Sequence, residues 1–196
     1  VRKDQIFILG HGLGGMLAPK VAKLDTTVVG LIIMGGNARP LEDNIVEEVE
    51  YVYSIDGVVN NDRTKIIKKL KRMVQNVKSP VLSPATPADS LPLQVPAEYW
   101  LGLKGYNPAE AALKLKKPIL VLQGERGYEV TMEDFEVWKK TLKSGPLYEF
   151  KSYPNLNHIF VSGKGKARPD EYRTPSHVEK EVVEDIARWM KEKIKK

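Results

Sequence analysis

Apolar residues gather along this chain in two kinds of run. Ile6-Phe7-Ile8-Leu9, residues 28–34 and residues 118–123 are short, almost unbroken and each followed by glycine. That is the signature of parallel strands buried on both faces. Residues 147–152 alternate as a fourth strand would. Between these runs the apolar positions recur at helical spacing, over 16–24, through Leu41, Ile45, Val49 and Val52, and through Ile66, Ile67, Leu70, Met73, Val74 and Val77. Asp62 is the expected N-cap of that third helix. Asn107-Pro108 opens a short helix, 131–142 forms another, and Val178, Val182, Ile186, Trp189, Met190 and Ile194 share one face of a last helix. Ser176 and Glu179 offer that helix a capping box.

Residues 79–96 break the rhythm. Pro80, Pro84, Pro87, Pro92 and Pro96 exclude a long helix or a central strand, so an irregular excursion is expected, ending at Tyr99-Trp100-Leu101. Elsewhere strands alternate with helices, which predicts an α/β fold with a mostly parallel sheet flanked by helices. Four visible strands are few for that architecture.

Composition narrows the possibilities. At 196 residues the chain suits one domain, and it contains no cysteine. A disulfide framework, a thiolate metal site and a cysteine nucleophile are thereby excluded, and a cytoplasmic location is expected. No apolar run approaches the roughly 20 residues of a membrane helix, and Val1-Arg2-Lys3-Asp4-Gln5 lacks the apolar stretch of a signal peptide. The net charge is +6, but the surplus lies on amphipathic helical patterns (Lys65, Lys68, Lys69, Lys71, Arg72, and Lys191, Lys193, Lys195, Lys196) without a nucleic-acid reading motif. Neither a nucleic-acid nor a membrane partner is expected.

The candidate chemistry begins at Gly10-His11-Gly12-Leu13-Gly14-Gly15, between a strand and a helix. Gly10, Gly12 and Gly15 satisfy the dinucleotide spacing, yet the next strand ends Ile33-Met34-Gly35-Gly36 without the acidic residue that motif needs. The other reading is a nucleophile elbow, G-x-S-x-G, with Gly12 in place of serine. Gly10, His11, Leu13, Gly14 and Gly15 resemble the G-H-S-L-G-G elbow of serine esterases of the α/β-hydrolase superfamily. Downstream, 118–126 looks like the strand and loop that deliver the family's catalytic acid, with Gly127 in the acid's place. Asn155-Leu156-Asn157-His158 resembles its histidine loop. The order nucleophile, acid, histidine is the one this family uses.

The resemblance implies a carboxylesterase-like serine hydrolase, here a single partial α/β-hydrolase domain over 1–196 lacking its N-terminal strands. Residues 41–106 would form a helical, proline-rich, cap-like insertion. His158 is then the surviving base, Gly12 the nucleophile position, Gly127 the acid position and the Leu13 amide an oxyanion donor. Tyr99 and Trp100 are expected to line the substrate pocket. Acyl transfer needs a hydroxyl, an imidazole and an orienting carboxylate, so a chain with glycine at both 12 and 127 is expected to be inactive or nearly so. A noncatalytic module for a small apolar ligand and an engineered folding scaffold are the alternatives.

Glu125, Glu129 and Asp134 lie near the lost acid in sequence and read as solvated surface carboxylates. Ser162 reads as a polar loop residue, His11 as packing, and His177 as structural. Histidine spacing supports no metal, and no cofactor is implied. The expected ligand is a small acyl ester or apolar molecule. An elbow strand at an open sheet edge invites a homodimer or association with an N-terminal fragment; a clean monomer in dilute solution would argue against this.

Overall fold

A computed structural model describes residues 5–58 and 60–194; Lys195 and Lys196 of the basic terminal run lie outside the described residues. The chain forms two compact units, one of residues 1–39 with 107–196 and one of residues 40–106.

The larger unit carries a four-stranded sheet in the order β1-β2-β3-β4, from Ile6–His11, Val28–Met34, Ile119–Gly124 and Tyr148–Tyr153. All three pairings are parallel. Period-two alternation sorts the central strands between two cores. Leu31, Ile33, Ile119 and Val121 face a cluster containing Ala18 and Ala22 of α1 (Leu13–Leu24), Ala109 and Ala112 of α5 (Pro108–Leu115), and Phe135 and Trp138 of α6 (Met132–Leu142). Ile32, Met34, Leu120 and Leu122 face Val182 and Trp189 of α7 (Lys180–Ile194). Because β2 and β3 are covered on both sides, their sequences are continuous rather than alternating. β1 pairs only with β2 among the described strands, and its Leu9 is half exposed.

The smaller unit holds α2 (Leu41–Ser54), α3 (Asn61–Lys78) and α4 (Ala97–Leu103). Its core gathers Ile45, Val77, Leu82, Leu91, Ala97 and Trp100. The prolines confine 88–94 to two short 3₁₀ turns.

Four local expectations change. Helix α1 begins at Leu13, so Gly14 and Gly15 belong to its first turn. Asn60 rather than Asp62 caps α3, its carboxamide oxygen accepting from the Arg63 amide at 2.8 Å. Tyr99-Trp100-Leu101 lies in helix α4, because Ala97 and Trp100 can bury one face of a short helix after Pro96. The capping box at Ser176 does not form, since α7 starts at Lys180. The Glu179 carboxylate instead accepts from Ser162 at 2.6 Å, and Val178 remains exposed.

Candidate active site

Three of the predicted loops meet at the carboxyl ends of β1, β3 and β4, where open parallel sheets bind ligands. The turn after β1 is sharp. A Cβ on Gly10 would lie 2.3 Å from the Gly14 carbonyl oxygen, so only glycine lets the helix start that close to the strand. Gly12 has φ 54° and ψ −121°, a conformation costing a residue with a side chain about 1–3 kcal/mol. Its amide donates to the Met34 carbonyl at 3.0 Å. The turn therefore holds position 12 in a backbone conformation that glycine adopts without strain. Leu13 opens α1, where an amide has no acceptor within the helix.

The ring of His158 stands against this turn. A Cβ on Gly12 would lie 3.2 Å from His158 Nε2 and 3.6 Å from Cε1; chain neighbours aside, no other heavy atom is within 4 Å of that point. On its other side the ring abuts Gly35, whose Cβ would fall 2.9 Å from Nδ1. Nδ1 is buried without a hydrogen-bond partner. Burial lowers the imidazole to about 4, with His11 a second cause. His11 sits exposed beside it, ring centroids 4.4 Å apart, and its Nε2 donates to the His158 carbonyl at 2.9 Å.

This shift has a defined consequence for stability. An unfolded histidine titrates near 6.5, so between about pH 4 and that value the folded chain binds fewer protons than the unfolded one. Stability therefore falls as pH drops through this window, by about 3 kcal/mol in total from His158. Urea unfolding at a series of pH values should show the decline, and His158→Gln should flatten it by that amount. Equal slopes in the two proteins would show that His158 titrates normally in the fold.

Buried polar side chains fasten the turn around Gly127 and the loop of His158. Gln123, fully buried, donates to the Gly124 and Val130 carbonyls at 2.9 and 3.0 Å and so closes the turn around Gly127. A Cβ on Gly127 would lie 3.4 Å from His158 Cβ and 3.1 Å from the Val130 carbonyl oxygen. A side chain at 127 would thus leave directly beside the histidine, at the cost of a small adjustment. Arg126 is buried, donating to the Gly165 carbonyl at 2.7 Å and to Glu171 at 2.6 Å. The second oxygen of Glu171 accepts from Asn157 at 3.3 Å. Asn157 Oδ1 in turn accepts from the amides of Ile159 and Val161. One carboxylate therefore links the loop of position 127 to the loop of His158. Nothing local in the sequence marks Glu171 for this task, because its partners lie 45 and 14 residues away.

Asp134 is not a surface carboxylate. It is fully buried, accepting from the Ala38 and Arg39 amides at 2.8 and 3.0 Å and holding the Arg39 guanidinium at 2.9 Å. Glu125 is exposed and accepts from Ser152 at 2.7 Å. Glu129 is partly buried, and burial pushes its carboxyl upward while contacts with Tyr172 and Tyr128 pull it down. His177 lies exposed in the segment before α7. Trp100, 1% exposed, belongs to the core of residues 40–106, with Tyr99 packed edge-on at 5.2 Å. No cluster of three metal-binding side chains occurs among the described residues, and no helix among them is long and apolar enough to cross a membrane.

Comparison with known proteins agrees with this architecture. The chain is 36% identical over 192 residues to esterase EstD of Thermotoga maritima, covering 96% of this chain and 44% of that protein. It thus spans less than half the length of that relative. Among solved structures, Est1E of Butyrivibrio proteoclasticus superposes with a TM-score of 0.55 at 15% identity, covering 98% of this chain and 62% of that one. An esterase of Pyrococcus furiosus gives 0.50 at 14% identity, covering 95% and 55%. The likeness of these structures is one of fold. The dienelactone hydrolase family model matches residues 95–194, the half of the chain that carries β3, the turn at Gly127 and the His158 loop, and the chain belongs to that family, within the α/β-hydrolase superfamily.

Proposed function

We propose that this chain is a carboxylic-ester hydrolase framework without its nucleophile and its orienting acid, inactive or nearly so toward esters as it stands. The observation that carries the reading is the position of His158. Its Nε2 faces the missing side chain of Gly12 at 3.2 Å, and its Cβ faces the missing side chain of Gly127 at 3.4 Å. The Leu13 amide is the oxyanion donor in this reading. Similarity to a Thermotoga maritima protein named as an esterase supports small esters as the substrate class. Replacement of both groups by glycine, inside motifs that are otherwise whole, fits removal of the chemistry rather than general decay of the site.

The test is hydrolysis of p-nitrophenyl acetate by the chain and by its Gly12→Ser, Gly127→Asp double variant. The unaltered chain should remain at the buffer rate and the double variant should turn over. Turnover by the unaltered chain that His158→Ala abolishes would overturn the reading. So would a folded double variant that remains inert.

A further inference from the structure

A cleft of about 450 Å³ is lined by Glu125 and Arg126 from the loop of position 127, Asn155 from the loop of His158, and Gly163, Lys164 and Lys166 after it. Neither His158 nor Gly12 nor Gly127 lines it. Among the described residues no aromatic ring and no long apolar side chain lines it either, so it offers no platform for a base and no seat for an acyl tail. Its charge is lopsided, with three cations against the carboxylate of Glu125. That carboxylate is already engaged by Ser152 at 2.7 Å.

Arg126 supplies the second observation. It is only 5% exposed. Its Nε donates to the Gly165 carbonyl and its Nη2 to Glu171, but Nη1 is buried with no hydrogen-bond partner. A charged donor left in that state is a rare and costly defect, and an ion is one remedy for it. The guanidinium rests on Gly163, where a Cβ would fall 2.2 Å from Nη1 and 2.4 Å from Cζ. Because Gly163 has no side chain, the buried cation comes up against the same residue that lines the cleft.

We propose that this cleft binds a phosphate group, as the free dianion or at the end of a small phosphomonoester, held by the ammonium groups of Lys164 and Lys166 together with Arg126. Three cations less one carboxylate leave a surplus of two, reduced where Glu171 pairs with Arg126 Nη2. The charge of about −1.5 to −2 on a phosphomonoester at neutral pH matches that surplus, and the single charge of a carboxylate does not. Lys164 and Lys166 are exposed and meet the anion first. Reaching Nη1 takes a small shift of the turn over 163–165, where glycine on both sides of Lys164 permits new backbone angles. The anion would brace the loops of positions 127 and 158 against each other, adding to the tie through Glu171. This site is independent of the roles assigned to Gly12 and Gly127.

Calorimetric titration with inorganic phosphate and with methyl phosphate, at mildly alkaline pH and fixed ionic strength, tests the site. Saturation by methyl phosphate assigns it to phosphomonoesters, and saturation by inorganic phosphate alone assigns it to the free dianion. Acetate should not saturate it. Lys164→Ala with Lys166→Ala should weaken binding about tenfold, the scale of two exposed ionic contacts, and Glu125→Gln should tighten it about threefold by removing one like charge. These side chains are exposed, so the fold should survive, and circular dichroism checks it. In the unaltered chain the Arg126 Nε–H resonance should shift along the same saturation curve, which carries the test if a variant unfolds. Absence of saturable phosphate binding overturns the site, as does acetate binding equally well. So does an affinity that the lysine pair leaves unchanged, one that Glu125→Gln fails to raise, or saturation without a shift at Arg126.

Discussion

Gly12→Ser with Gly127→Asp should hydrolyse p-nitrophenyl acetate about 10³–10⁴ times faster, in kcat/KM, than Gly12→Ser alone, the order lost when the orienting acid is removed from a triad. The serine hydroxyl of the single variant would emerge beside His158 Nε2, but Nδ1 has no acceptor to hold its proton, so nothing fixes the ring in the tautomer that takes the hydroxyl proton. That ring, lowered to about 4 by burial, is also a weak base at neutral pH. An aspartate at 127 corrects both faults, because it leaves the backbone beside His158 and its anion favours the imidazolium formed during attack. The pH profile of the double variant should accordingly show its acidic limb, where the histidine loses its proton, displaced to higher pH than that of the single variant. Equal rates for the two would mean that another group orients His158, and Glu129, half-buried two residues further along, would be the first to replace.

Asp134→Ala should destabilise the protein by about 3 kcal/mol, lowering the melting temperature by roughly 10 °C. Its carboxylate satisfies two backbone amides and one edge of the Arg39 guanidinium in a fully buried position. Removal leaves the Ala38 and Arg39 amides without this acceptor and takes from Arg39 its buried carboxylate, the exposed Glu133 at 2.8 Å remaining, a loss that costs more than a surface pair. Asp134→Asn keeps an acceptor for the amides and should recover part of the loss. A melting temperature unchanged by alanine would show that water replaces the carboxylate at no cost.

The strands and most helices were legible because their physics is local. A strand covered on both faces must be apolar throughout, and Leu31 to Met34 and Ile119 to Leu122 state this without reference to anything distant. The elbow was legible because glycines at a strand-to-helix turn reflect close backbone approach, as at Gly10. Asp134 was misread for the opposite reason. A short acid in the first turn of an amphipathic helix looks solvated until Arg39, 95 residues earlier, is brought onto it. The helix at Trp100 was hidden by its prolines, although Pro96 in fact stands where a helix begins. The displaced start of α7 has a similar origin, since Ser162 claims the carboxylate that a capping box would have used.

Glu171 joins Arg126 of one loop to Asn157 of the other without touching His158's ring or either glycine. The alignment of the two loops is consequently a property of the framework rather than of the side chains at positions 12 and 127. Such a tie lets the geometry around positions 12, 127 and 158 persist whatever side chains stand at the first two, so that only those two side chains need change for the site's chemistry to change.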